Sequence, residues 1–496
     1  MKSSNSFKKI ISLVALLLSV VMLFSACGNS EAPAADETSS VTESAKTEST
    51  DAGTSSDEGI ADATQSAEGS SSKKPQSEQG GNIQTQTSGS TKWAKDYLST
   101  IPASVKAKEI HILMWRKYDD AEQKLVDSFQ KKTGIKIRTT VTTEAEYTTK
   151  LISLVTGGNS PDIAMISTDT FPGVVTKACV PLDAKTYRLD DPAWYKPYMD
   201  CFKVNGKYFS VAMNKSLSCE DTNHVLYYLK STMDKIGVKT YPWQLYKQGK
   251  WNWDAQRDII AKASAKGITG LSMHSYDTYM QSTGSGFVKY NGKEFINNME
   301  APNVLKAWKE FTSVNENYTV TGWDYKNIAT GNVALFASIS YQGFRASKVF
   351  RDAKGNPTVQ GGIENIECVP IAGPTQATAY TPVMAKSWAN PKGSKNPEGA
   401  AYFLRYFLDI ANTDYENLFH NNQIKEVYNE ICSKKAKKCI TYGKGIVDYV
   451  ESGLYNRILS SLKGTTSANV KQKIDTFKKN VNSPIKQANK ALKRMK

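Results

Sequence analysis

Residues 108–115 read KEIHILMW, with Ile110, Ile112 and Met114 on one face of an extended segment and His111, Leu113 and Trp115 on the other. Both faces are mostly apolar, which predicts a strand covered by helices on both sides. DDAEQKLVDSFQKKTG follows. Its Leu125, Val126 and Phe129 recur at helical spacing, Asp120 is placed to cap the first turn with Gln123 three residues on, and Gly134 ends the helix. IKIRTTVT then alternates at period two. A second helix carries Tyr147, Leu151, Leu154 and Val155, a Gly-Gly-Asn-Ser-Pro break follows, and a third strand runs from Asp162 to Ser167. Strand, helix, strand, helix, strand is an open α/β unit with right-handed crossovers. Such sheets bind ligands at the carboxyl ends of their strands. That rule brings Trp115 and Arg116 together with Ser167, Thr168 and Asp169 at one candidate cleft. Further helices are predicted over 249–267, with Asn252 as cap and Gly267 as stop, from Pro302, and from Pro397. The last eighty or so residues read as mostly helical and end in a lysine-rich face.

The first 92 residues follow neither pattern. Lys2, Lys8 and Lys9 precede an apolar run from Ile10 to Phe24, which is short for a membrane span of ~20 residues. Ser25, Ala26 and Cys27 close it, and the segment resembles a bacterial lipoprotein signal, in which the cysteine becomes the first residue and is acylated. Two or three acyl chains would anchor a domain stably where one is marginal. From Gly28 to Lys92 the chain is rich in Ser, Thr, Ala, Gly, Glu and Gln, and has no Trp, Phe or Tyr. It cannot bury enough apolar surface to offset its ordering entropy, so it reads as a tether.

Of 496 residues, about 400 remain from Trp93, more than one core usually supports, which predicts two lobes. The whole chain carries +15; removing the signal (+3) and the tether (−7) leaves the folded part near +19. Its lysine runs lack interleaved aromatics, which argues for a solvated surface over nucleic-acid binding; an anionic ligand or cell-wall polymer is the other reading. Six cysteines follow the signal, and Cys432 with Cys439 is the disulfide candidate because the two are close in sequence. His111, His224, His274 and His420 are scattered, and there is no HExxH, GxSxG or GxxxxGK[ST] motif. No metal, cofactor or catalytic residue is therefore expected.

Several segments in order resemble the solute-binding proteins of bacterial ABC importers, of the carbohydrate type that includes maltose-binding protein. They are FQKKTGIKI (129–137), LISLVTGGNSPDIAMIS (151–167), GKYFSVAMN (206–214), GKWNWD (249–254), GNVALF (331–336), VPIAGP (369–374) and NPEGAAYFLRYFL (396–408). The resemblance implies an α/β, two-lobe periplasmic-binding-protein-like fold with hinge crossovers and a ligand cleft between lobes. With it, the chain divides into a lipoprotein signal (1–26), a lipid anchor and tether (27–92), a first lobe (93–212 with 370–412) and a second (213–369 with 413–496). It implies a monomer at the extracellular face of the membrane that captures a carbohydrate and delivers it to the permease of an ABC importer, the ATPase being another chain.

Sugar recognition needs flat aromatic faces and planar polar groups in a desolvated cleft. The expected ligand contacts are Trp115, Arg116, Asp169, Asn214, Trp323, Tyr341, Arg345 and Trp388, while Trp251 and Trp253 read as structural, beside a helix start. Two alternatives stay open: an extracellular enzyme acting on polysaccharide, and a receptor for an acidic sugar or other small anionic solute.

Overall fold

The computed structural model describes residues 92–213, 223–345, 347–409, 417–431, 436–451 and 453–494. The expected signal, Cys27 and the tether up to residue 91 lie outside these residues, as do Asn214, Cys219 and Cys432. Among the described residues no helix is long and apolar enough to cross a membrane.

In chain order the strands that matter are β1 (Ile110–Met114), β2 (Ile137–Val141), β3 (Ile163–Ser167), β4 (Ser210–Val211), β5 (His224–Leu229), β6 (Thr269–Met273), β7 (Val320–Thr321), β8 (Val333–Ile339), β9 (Ile366–Pro370), β10 (Thr381–Val383), β11 (Lys386–Ala389) and β12 (Lys438–Ile440). The helices used below are α1 (Asp120–Thr133), α2 (Tyr147–Thr156), α3 (Trp253–Ser264), α4 (Pro302–Asn317), α5 (Pro397–Phe407), α6 (Gly443–Val447), α7 (Leu454–Lys463) and α8 (Val470–Lys493).

Two five-stranded sheets result, ordered β2-β1-β3-β11-β4 and β7-β6-β8-β5-β9. In the first, β1, β2 and β3 are parallel and β11 returns antiparallel to β3 and β4. In the second, β7, β6 and β8 are parallel and β5 runs against both β8 and β9. Every residue of β1 and of β5 is buried, as strands covered on both faces require. The first core packs α1 on α5, with Phe129 edge-on to Phe403 at 5.2 Å; the second gathers Phe287, Trp308 and Phe311 around α4.

Helix boundaries follow local chemistry. The cap of α1 is Asp119, one residue earlier than the pattern predicts. Its carboxylate accepts from Glu122 N at 2.9 Å, and Glu122 Oε2 accepts from Asp119 N at 3.0 Å. Glu122 wins over Gln123 because it also takes both Nη atoms of Arg116, at 2.6 and 2.7 Å, which compensates a carboxylate that is almost wholly buried. Gly134 closes α1 at φ 75°, as expected. Asn252 caps α3 by accepting from Ala255 N at 2.9 Å.

Buried Asp162, at the head of β3, ties three segments together. Its two oxygens accept from His111 N (2.9 Å), Ser394 Oγ (2.7 Å), Lys395 N (2.7 Å) and Asn396 N (2.7 Å), and Asn396 in turn caps α5.

The passage from β9 back to β11 is the one link between the sheets that is described throughout, and two tryptophans hold it. Trp251 Nε1 donates to Pro370 O at 2.8 Å, Trp253 Nε1 to Ala372 O at 3.0 Å, and Trp253 N to Gly373 O at 2.9 Å. Gly373 is required there, since a Cβ would lie 2.8 Å from Ala379. Farther along, β10 pairs in parallel with β12. The structure does not carry the expected disulfide: Cys439, in β12, is a buried free thiol whose Sγ lies 3.7 Å from Ser285 O, while Cys432 lies outside the described residues.

Replacing Asp162 by Ala strips an acceptor from three backbone N–H groups and is expected to cost about 3 kcal/mol or more. Urea unfolding checks this as a lower midpoint at unchanged slope.

Candidate functional site

The carboxyl ends of β1 and β3 and the start of β11 lie side by side. They present Trp115, Ser167 and Lys386, with Lys386 opposite Ser167 in register. The Trp115 ring stands edge-on to Tyr147 of α2 at 5.7 Å, and Lys386 Nζ lies 4.7 Å from its centroid. Tyr147 is itself fixed, donating to Leu113 O at 3.2 Å and accepting from Met165 N at 2.7 Å. Trp115, Glu144, Tyr147, Ser167 and Lys386 line a cavity of about 80 Å³.

The second sheet contributes the ends of β6, β7 and β8 and the start of β5. His274 follows β6, with its ring 6.1 Å from that of His224 and 5.6 Å, edge-on, from that of Trp323. Trp323 is 49% exposed, so one indole face stays open to solvent. Asp277 accepts from Gln281 Nε2 at 2.8 Å and also from Ser275 Oγ and Tyr455 OH.

Groups from both sheets act on one another. Burial pulls His274 below the usual imidazole range; Asp277 and Glu144 oppose that pull, and Lys386 and Lys444 add to it. Burial also raises the Asp169 carboxyl, against the Lys444 ammonium at 3.7 Å. His224 is held down to about 4 by burial and then by His274. Its Nδ1 faces Pro382 O at 3.3 Å and therefore carries the hydrogen, which leaves Nε2 as a bare acceptor. Where α6 meets the β3 loop, a Cβ on Gly445 would sit 2.5 Å from Thr168 O, so the close approach requires glycine.

A larger cavity of about 900 Å³ lies between α1 and the segment after β8. Asp119, Asp120, Lys124, Tyr341, Arg345 and Arg351 are among the residues that line it. Tyr341 OH donates to Asp119 Oδ2 at 3.3 Å across the gap. Two α/β sheets with a cavity between them that Tyr341 and Asp119 bridge, and with Trp115 and Trp323 beside their strand ends, are what a solute trap needs.

The family model for bacterial extracellular solute-binding proteins matches residues 124–415. The chain belongs to that family. No curated protein matches the sequence. Solved structures share the fold at low identity. The galacto-N-biose/lacto-N-biose I-binding protein of a Bifidobacterium longum ABC transporter has a TM-score of 0.57 at 15% identity, over 77% of this chain and 97% of that one. UgpB of Mycobacterium tuberculosis, in complex with glycerophosphocholine, scores 0.55 at 15%, over 76% and 98%. An ABC transporter associated binding protein of B. animalis subsp. lactis, in complex with β-1,6-galactobiose, scores 0.53 at 16%, over 77% and 98%. The fold of this solute-binding protein is thus the two-lobe α/β fold of periplasmic binding proteins.

The structure sorts the expected contacts of this solute-binding protein. Trp115 lines the small cavity, Asp169 faces Lys444, Trp323 stands edge-on to His274, and Tyr341 and Arg345 line the larger cavity. Arg116 is adjacent to Trp115, but its guanidinium is engaged by Glu122. Asn214 lies outside the described residues. Trp388 is corrected: it is 1% exposed and packs edge-on against Phe407 at 6.1 Å, two residues deeper in β11 than Lys386. Lys386, Lys444, His274, His224, Asp277 and Glu144 escape the sequence reading. Only the strand-end rule, applied to β6, would have pointed to His274.

Two expectations follow. Gly445→Ala should hold the β3 loop off α6 and weaken ligand binding by about five-fold or more, as measured by calorimetry. His224 and His420, depressed to about 4 and about 3, stay neutral in the fold while the unfolded chain protonates near 6.5. Stability from these two is complete above that pH and drains as pH falls through it toward 4 and 3, because the unfolded state then binds more protons. Melting temperature should fall over that window, and less steeply in a His224→Gln/His420→Gln variant.

Proposed function

We propose that this protein is an extracellular receptor that closes two lobes on a carbohydrate and delivers it, unaltered, to the permease of an ABC importer. The observation that supports this reading is the coupling between the two sheets' ends: His274, edge-on to the half-exposed Trp323, feels Lys386 and Glu144, which line the small cavity with Trp115, so aromatic faces and charged groups are available on both sides. Aromatic faces stack on the C–H faces of sugar rings, and buried charged groups bind hydroxyls strongly. The family and the structural relatives are binding proteins, two of the latter bound to or named for disaccharides, which supports capture over catalysis.

On this reading the lobes comprise 93–212 with 370–412 and 213–369 with 413–496, and the crossovers act as hinges. Cys27 carries lipid and residues 28–92 let the monomer reach its permease. An affinity near micromolar corresponds to about −8 kcal/mol, enough to drive closure and still allow release. An acidic sugar is the second reading, favoured by the cations described below.

A thermal-shift screen against mono- and oligosaccharides identifies the ligand, because a molecule that binds only the folded state raises its melting temperature. Trp115→Ala and Trp323→Ala should then each weaken binding by about 1 kcal/mol or more in calorimetry. Unchanged affinity in both would remove the site assignment, and release of reducing ends would replace the receptor with an enzyme.

A further inference from the structure

The 900 Å³ cavity is electrostatically lopsided. Its far wall carries Arg345, Lys348, Arg351 and Lys354. Arg345 donates Nε to Phe419 O at 3.1 Å, and no other side-chain bond among the described residues engages its guanidinium. Arg351 gives Nη1 to Gly355 O at 2.7 Å and Nε to His420 Nδ1 at 3.2 Å. Among the described residues, Arg345, Lys348 and Arg351 pair with no carboxylate, although Arg345 lies near enough to repel Arg351.

The nearby acids are otherwise occupied or lie on the opposite wall. Asp352 accepts from Lys354 N, Asn356 N and Asn356 Nδ2 within its own turn. Asp119 caps α1 and receives Tyr341 OH; Asp120 and Lys124 face from α1. His420 adds no charge: it is depressed to about 3 by burial and by the two arginines. Its Nε2 faces Gln342 O at 3.0 Å and so holds the hydrogen, which leaves Nδ1 to accept from Arg351 and fix that side chain. Repelling guanidiniums, held in place beside a cavity and without a counter-charge among the described residues, are the makings of an anion site.

We infer that this cavity is an anion subsite, and that the sugar bound by the proposed receptor bears a carboxylate or phosphate group held by Arg345, Lys348 and Arg351. The inference rests on the receptor reading. It gives the ligand two ends: an acidic group on the arginines, and a sugar body with hydroxyls toward Asp119 and Asp120 and a C–H face toward the ring of Tyr341.

The test uses the full chain and calorimetry with digalacturonate and glucose 6-phosphate, beside their neutral counterparts galactobiose and glucose. At least one acidic probe should bind, and which one does separates carboxylate from phosphate. Its affinity should fall about ten-fold or more in Arg345→Gln/Arg351→Gln and should weaken as salt is raised. Arg345→Gln alone alters an exposed side chain that makes one hydrogen bond, to Phe419 O, and an unchanged melting temperature checks that it folds; it should show part of the same loss. If neutral sugars bind and acidic ones do not, or if acidic binding ignores both variants, the anion subsite is wrong and the receptor stands. If no saccharide of either kind binds, the receptor reading falls and takes the inference with it.

Discussion

The site depends on how firmly the passage from β9 to β11 is held. The two sheets share no strand, so no ladder of hydrogen bonds sets one against the other. Trp251 and Trp253 supply that constraint from the start of α3, with three hydrogen bonds to Pro370, Ala372 and Gly373. Both rings are buried, which removes water as a competitor for those carbonyls. Lys386 therefore leaves the crossover at a fixed place opposite Ser167, over Trp115. A slip of this passage would move Lys386 and the β10–β12 pairing together.

That constraint makes the charge arrangement in the gap possible. Asp169 and Lys386 come from one sheet's side, and Lys444, Asp277 and His274 from the other's. Like and unlike charges alternate there, so no single sign dominates, which suits a ligand recognised by hydroxyl groups. Burial raises the Asp169 carboxyl even with Lys444 at 3.7 Å, so desolvation outweighs the ion pair. A ligand that replaces lost water around these groups recovers part of that cost.

The strand-helix-strand order up to Ser167 was legible because it is local: period, cap and stop all lie within a few residues. The strand-end rule carried this as far as Trp115 and Asp169. Its misses have geometric causes. Asp119 displaced Asp120 as cap because Glu122, fixed by Arg116, is the better partner at the third position. Trp388 sits two residues inside β11, roughly 7 Å from the edge where Lys386 emerges, and so meets Phe407 instead of the gap. Lys444 and Asp277 lie far from the first sheet in sequence, and no local periodicity shows that α6 closes on the β3 loop.

The folded part's large positive charge divides the same way, by place. Along α8, Lys479, Lys486 and Lys490 are exposed on the side opposite the buried Ile474, Val481, Ile485 and Ala488. Charges in water are screened beyond about 8–10 Å, so such a stripe acts on what touches it and adds little to ligand selection. Arg345 and Arg351 are fewer, but they border a cavity and have no carboxylate partner among the described residues, so a ligand that displaces water there meets them directly. Net charge alone thus says little about the ligand; the cations beside the cavity, paired with no carboxylate among the described residues, are the part of it that can discriminate.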